Sequence, residues 1–392
     1  MSDEIVILSA VRTPLTAFLG EFKSESASDL GAQAIRGALQ RASIGDDQID
    51  EVVMGCVLQA GQGQAPARQA VIKAGLSKRT AATTINKMCG SGLQSIVYSK
   101  YLLESNQAKI VVAGGMESMS NTPYLIDKAR SGLRMGHTAL IDHMFIDGLE
   151  DAYEKRPMGS FAQEVADNFH ITREEMDNFA IQSFIRARDA IESGVFDSEL
   201  VSIEVTQKHK KITIDKDEKP YQAKLENIST LSAVFKDGGT ITAANSSSIA
   251  DGAAAITLST RTYANENNLM PIARIVGQSV YAGEPSLFAT APIFAIKKLL
   301  KEIKWDIDEV DLFEVNEAFA LVPLLVMKEL EIPHSKMNVF GGACALGHPL
   351  GASGTRIVVT LINALKKQKL KKGIAAVCIG GGEALAISVE II

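Results

Sequence analysis

Four residues far apart in the chain are of types that can do chemistry together. Cys89 stands in NKMCGSGLQ (86–94), where a strand-like run meets a Gly-Ser-Gly turn and the start of a helix. A thiol at a helix N-terminus sits at the positive end of the helix dipole, which favours thiolate. Taken alone, Cys89 is either a nucleophile or a small buried residue at a bend. His348 lies between glycines in GGACALGHPLGASG (341–354) and is followed by Pro349. A ring held on such a shaped loop can take the proton of a thiol. Cys378 ends the strand-like GIAAVC and precedes IGGG, and strand ends followed by glycine-rich turns are where open α/β sheets keep their ligands. The backbone N–H groups of Gly380, Gly381 and Gly382 are free to face a developing oxyanion. Asn316, beside Glu317 in FEVNEAFA, reads either as a helix N-cap or as the holder of a water or an oxyanion.

The two remaining cysteines, Cys56 and Cys344, are read as buried structural thiols, slow to alkylate. None of the four forms a C-x-x-C pair, so neither a zinc site nor a redox dithiol is indicated, and no metal is expected. The net charge of −6 argues against a nucleic-acid partner. The basic run KHKK (Lys208, His209, Lys210, Lys211) reads as a solvated loop face. No apolar run approaches the ~20 residues of a membrane span. The opening MSDEIVILSAVRTP lacks the basic and apolar regions of a signal peptide, so the expected compartment is the cytoplasm.

The elements that must bring the four residues together follow from periodicity. EIVILSAV, DEVVMGCVL and KIVVAGG read as strands and DLGAQAIRGALQRA as an amphipathic helix, an alternation that implies an α/β fold. A repeat sharpens this. IDEVVMGCV is echoed by IDEVDLFEV, CGSGLQSIVYS by GASGTRIVVTL, and KIVVAGGMES by GIAAVCIGGGEA. The offsets grow smoothly, 258 for Asp50/Asp308, 262 for Gly92/Gly354 and 266 for Gly115/Gly381, as expected of a duplicated unit. The expected organisation is a first half at 1–118, a loop or lid domain at 119–249 and a second half at 250–392. In a two-fold repeat, Cys89 of one half and His348 and Cys378 of the other converge at equivalent sheet ends.

At these residues the chain resembles the thiolase family. NKMCGSGLQS, NEAFA, GGACALGHPLGASG and CIGGGEA stand in the family's order and spacing, and VRTP and GQAPARQA (63–70) also fit. The resemblance implies a duplicated thiolase fold, five-layered, with two similar halves of mixed sheet covered by helices and an inserted lid. It implies that Cys89 carries an acyl group, that His348 activates it, and that Cys378 is acid and base at the α-carbon. Asn316 would hold a water beside His348, and the N–H groups of Cys89 and Gly380 would form a second oxyanion hole. Ser247 and Met158 would contact coenzyme A, which enters as substrate and product; no prosthetic group is implied. Acyl-CoA partners and a homodimer or homotetramer are implied as well.

The CGSGL form resembles the branch that makes acetoacetyl-CoA from two acetyl-CoA molecules. Three departures bear on substrate. Pro157 stands where that branch carries His, Glu383 follows the oxyanion glycines as GGGEA where the family usually has GGGMG, and AANSSSIADGA replaces AGNASGLNDGA. A degradative enzyme for longer 3-ketoacyl-CoA chains is the nearest alternative. A ketoacyl synthase would want a second His where Asn316 stands, and a non-catalytic CoA- or lipid-binding relative would be expected to lose a thiol.

Overall fold

The computed structural model describes residues 3–207 and 210–392; Lys208 and His209 of the KHKK run lie outside the described residues. Nine strands form the path of the main sheet: β1 (Ile5–Arg12), β2 (Glu51–Gly55), β3 (Ala81–Ile85), β4 (Ile110–Ser118), β5 (Ala250–Thr260), β6 (Ala273–Ala282), β7 (Leu312–Val315), β8 (Lys372–Ile379) and β9 (Glu383–Ile391). Their order is β7-β8-β9-β6-β1-β5-β4-β2-β3, with a short tenth strand, Thr16–Ala17, on β5.

The duplication is written in the pairing. In the first half β2 runs parallel to β4, β4 antiparallel to β5, and β5 antiparallel to β1. In the second, β7 is parallel to β8, β8 antiparallel to β9, and β9 antiparallel to β6. Even the edge strand β3, parallel to β2, has a vestige in the parallel bridge Phe313↔Met337. The halves meet where β1 and β6 pair over only two positions, Val6↔Arg274 and Ile7↔Ala273. One boundary differs from expectation. β5 follows the lid segment, yet its partners β4 and β1 belong to the first half, so the junction between halves falls in the 261–272 connection rather than at 250.

The strands are apolar throughout because both faces are covered. Residues of one parity (Val6, Val52, Val112) pack under helix α1 (Ala27–Ala42). The other parity (Ile7, Val53, Val111) faces helix α2 (Ser91–Glu104) together with Ile357 and Val358 from the long helix Leu350–Gln368. On the second half, Ile374 and Ala376 turn outward to Ile293 and Ile296 of helix Ala291–Ile303, while Ala375 and Val377 turn inward. The result is helix, sheet, paired central helices, sheet, helix. α1 is fixed at its start by a capping box between Ser26 and Asp29 and ends on Ser43 in the left-handed region.

The two central helices cross at the repeat-related glycines. A Cβ on Gly354 would lie 2.3 Å from the Leu93 nitrogen, and one on Gly92 2.8 Å from the Thr355 nitrogen. Only backbone against backbone fits there. That contact brings the starts of both helices, and hence the Cys89 and His348 loops, to one place.

The lid segment adds helices α3 (Met158–Asn168) and α4 (Arg173–Glu192) and a hairpin of Ile203–Gln207 with Lys210–Ile214. It is tied down by Arg12, fully buried, which bonds Glu199 Oε1 at 2.5 Å and Asp217 Oδ1 at 2.7 Å.

Candidate active site

Cys89 sits two residues before α2, whose N-cap is Gly90. The turn ahead of it is held by side chains: Ser91 Oγ accepts from the Lys87 N–H at 2.8 Å and donates to the Met88 carbonyl at 2.7 Å. Cys378 lies at the end of β8, 1 % exposed. Gly380–Gly382 turn the chain into β9, with Ile379 opposite Glu383 and with Gly381 and Gly382 at φ 93° and 85°, the left-handed region that favours glycine. Helix α5 (Leu350–Gln368), the long central helix, starts two residues after His348, whose N–H donates to the Ser248 carbonyl at 2.9 Å.

The ring of His348 is held by a serine of the following helix. Its Nδ1 lies 2.5 Å from Ser353 Oγ, and Ser353 Oγ donates its single hydrogen to the Pro349 carbonyl at 3.0 Å. With the Ser353 hydrogen on the Pro349 carbonyl, Oγ would accept from Nδ1–H and the lone pair of the neutral ring would lie on Nε2. Asn316 Nδ2 lies 3.5 Å from both ring nitrogens. Behind it, Arg356 Nη2 donates to Asn316 Oδ1 at 3.5 Å and Nη1 pairs with Glu314 at 2.9 Å, all three side chains being buried. Arg356 thus decides which end of the Asn316 amide faces His348.

A pocket of about 500 Å³ joins these groups: Cys89, His348, Cys378 and Gly380 line it, with Ser247, Met158 and Pro157. Asn316 is not part of its lining and reaches it through His348. Met158 opens helix α3, with Pro157 as its N-cap. The Ser247 N–H donates to the Ala318 carbonyl at 2.9 Å, which fixes the strand-like segment that crosses the pocket. Phe235 and Phe288 both stack edge-on against Phe319, at 6.4 Å and 6.2 Å between ring centres, and make one wall apolar.

Burial governs the electrostatics. It pushes the Cys89 thiol up to about 11, although the N–H groups of Gly380 and of Cys89 itself pull the other way. Cys89 is only partly covered, but what it faces is this enclosed, largely apolar pocket. The expected thiolate stabilisation by the helix terminus is therefore outweighed by desolvation. Cys378 is raised further, by burial and by the nearby Cys89. Burial, with Arg356 adding to it, holds His348 down at about 3, so its resting form is the neutral ring. Cys89 and His348 therefore rest as a neutral thiol and a neutral ring and not as an ion pair.

Other expectations need adjusting. Asn316 is no N-cap: it follows β7 directly, its N–H donates to the Ala376 carbonyl at 2.9 Å, and the next helix begins at Leu321. Cys56 and Cys344 are buried and both raised well above the usual thiol value, by burial and by Glu117 and Glu317 respectively. Ser353 and Arg356 were not singled out by sequence. Both lie in or beside GASG, five and eight residues after His348, on the helix turns that face back toward it.

Residues 5–262 match the thiolase N-terminal domain and residues 269–391 the thiolase C-terminal domain. The chain belongs to the thiolase family. It is 43% identical over 389 residues to a probable acetyl-CoA acetyltransferase of Dictyostelium discoideum, covering 99% of this chain and 94% of that protein. It is 44% identical over 396 residues to the acetyl-CoA acetyltransferase of Saccharomyces cerevisiae, covering 100% of each. Among solved thiolases, Acat5 thiolase from Ascaris suum in complex with coenzyme A superposes with a TM-score of 0.94 at 40% identity, over 99% of this chain and 100% of that one. Human mitochondrial 3-ketoacyl-CoA thiolase superposes with a TM-score of 0.96 at 38% identity, over 100% of this chain and 99% of that one. This thiolase is an acyltransferase. Among its described residues no helix is long and apolar enough to cross a membrane.

Proposed function

We propose that this thiolase is an acetyl-CoA C-acetyltransferase, joining two acetyl-CoA molecules reversibly into acetoacetyl-CoA and coenzyme A. The observation that supports it most is the shared pocket of Cys89, His348, Cys378 and Gly380. Cys89 Sγ attacks the thioester carbonyl as its proton passes to His348 Nε2. The tetrahedral oxygen is met by the N–H groups of Cys89 and Gly380, where fixed donors act best on developing charge. The C–S bond to coenzyme A breaks, and the leaving sulfur takes a proton from Cys378, which becomes a thiolate. A second acetyl-CoA then gives its α-proton to Cys378. Its enolate oxygen is held by His348 and by a water on Asn316 Nδ2. Attack on the acyl group forms the carbon–carbon bond and releases Cys89, which recovers its proton from His348. Protons balance over the cycle, and the chemistry calls for no prosthetic group or metal.

The pantetheine arm is assigned to the pocket side carrying Ser247 and Met158. A second reading, 3-ketoacyl-CoA cleavage on longer chains, is favoured by the apolar wall of Phe235, Phe288 and Phe319 and by Pro157 in place of His. Thiolysis rates on 3-ketoacyl-CoAs of increasing length choose between them: a maximum at acetoacetyl-CoA supports the first, and rates that climb with chain length overturn it. A homodimer or homotetramer is supported by the partly exposed edge strand β3, whose unpaired backbone can continue the sheet. A cytoplasmic location is supported by four cysteines that all remain unpaired.

A further inference from the structure

Glu383, the residue that departs from the family pattern after the oxyanion glycines, forms an ion pair with Lys87 across the two halves. Lys87 is two residues before Cys89, and Glu383 is three residues after Gly380. Among the described residues no other ion pair joins the 86–91 turn to the 379–383 turn. Besides that pair and the Gly380 N–H directed at the Cys89 thiol, apolar surfaces press these ends together. A Cβ on Gly90 would lie 2.4 Å from Ile379 Cδ1, and the Met88 side chain comes within 4.0 Å of a Cβ built on Gly380. Met88 itself sits at φ 47°, a left-handed conformation that a non-glycine residue keeps only where its surroundings hold it.

Two turns from different halves must therefore present one amide each, Cys89 N–H and Gly380 N–H, to a single oxygen. Donors of this kind act only within about 2.7–3.1 Å of the oxyanion, and a misplacement near 1 Å costs about 10²-fold in rate. We propose that Lys87 and Glu383 form a clamp that fixes the spacing of these two amides, making both of them positioning residues for acyl transfer to Cys89. The proposal rests on the reading of Cys89 as the acylated residue. The side chains are 25% and 32% exposed, and pairs so open to water contribute little to stability. Their effect should appear in rate and not in folding.

The test uses the intact protein with K87M, E383M and the exchange K87E/E383K. Acylation is read from the burst of coenzyme A release on mixing with acetyl-CoA, with mass spectrometry of the Cys89 peptide. Each single variant should acylate about 10-fold more slowly, with KM for acetyl-CoA within about 2-fold and an unchanged unfolding temperature. The exchange should return the rate to within about 3-fold of the native value, a rescue that a merely structural contact would not give. Single variants that acylate at the native rate would overturn the clamp alone, as would a folded exchange variant as slow as the singles. Absence of acyl-Cys89 in the native protein would overturn the proposed function and the clamp together.

Discussion

Ser353 Oγ lies 2.5 Å from His348 Nδ1 and 3.0 Å from the Pro349 carbonyl oxygen. With its hydrogen on that carbonyl, the serine would select the tautomer that leaves the lone pair on Nε2. Ser353→Ala removes the acceptor and leaves a buried N–H unpaired, a defect of about 1–3 kcal/mol. Steady-state rates are expected to fall about 10- to 100-fold, and nitrogen NMR of the ring should show mixed tautomers. An unchanged rate and spectrum would mean that Ser353 does not set the tautomer.

The Arg356–Glu314 pair separates stability from catalysis. Arg356→Met strips a buried partner from Glu314, whose carboxyl burial already pushes up to about 8, so the variant holds it neutral and unfolding in denaturant should show a loss of about 1–3 kcal/mol. Replacing both residues with apolar ones should recover much of that stability, since a buried pair is often no better than good packing. The condensation rate should stay low in the double variant, because nothing then pins Asn316 Oδ1. Full recovery of condensation would remove Arg356 from any role in orienting that amide.

The two thiols should separate the half-reactions. Cys378→Ala is expected to accept an acetyl group on Cys89 but to make no acetoacetyl-CoA, whereas Cys89→Ala should accept none. Rapid quench with detection of acyl peptide reads both outcomes. Normal condensation by Cys378→Ala would show that another group takes the α-proton.

The pH dependence follows from the same burial. With its thiol at about 11, Cys89 in the free enzyme is protonated at neutral pH. Iodoacetamide labelling should therefore accelerate with pH, about 10-fold per unit, up to that value. A fast, flat rate between pH 6 and 8 would instead reveal a preformed thiolate–imidazolium pair.

Stability should depend on pH as well. His348 is held at about 3, below its value of roughly 6.5 in the unfolded chain. Its contribution is therefore complete above about pH 6.5 and is lost as pH falls toward 3, where the unfolded chain binds the extra proton. His348→Gln should flatten that acid slope in urea midpoints measured between pH 7.5 and 5. A slope of native steepness in the variant would assign the acid sensitivity to other groups.

Much of this architecture is legible in the sequence, for physical reasons. Strands buried on both faces must be apolar runs, so β1, β4 and β8 stand out, and a duplicated sheet end must repeat its glycines, so Gly92 and Gly354 mark the helix crossing. The partner of β5 is not legible, because sheet order is decided by which edge is open when the chain returns from the lid, and no local pattern encodes that. Nor is the balance at Cys89. The helix terminus can be read from CGSG, but the apolar wall that outweighs it comes from Phe235, Phe288 and Phe319, far along the chain. Ser353 and Arg356 act through His348 and Asn316, and only folding reveals that a helix turn faces back on its own preceding loop.

The offset that relates Gly92 to Gly354 also relates Cys89 to Gly351. The Gly351 N–H does not face a pocket: it donates to Glu117 Oε2 at 2.8 Å, and the same carboxylate takes the N–H groups of Val57 at 3.0 Å and Leu58 at 3.1 Å. The first half thus meets the repeat counterpart of the Cys89 N–H with a carboxylate of its own. With that amide taken from within, on the proposed reading a frame built from two copies offers its free amides at one end only, and the two halves are no longer equivalent toward an incoming thioester.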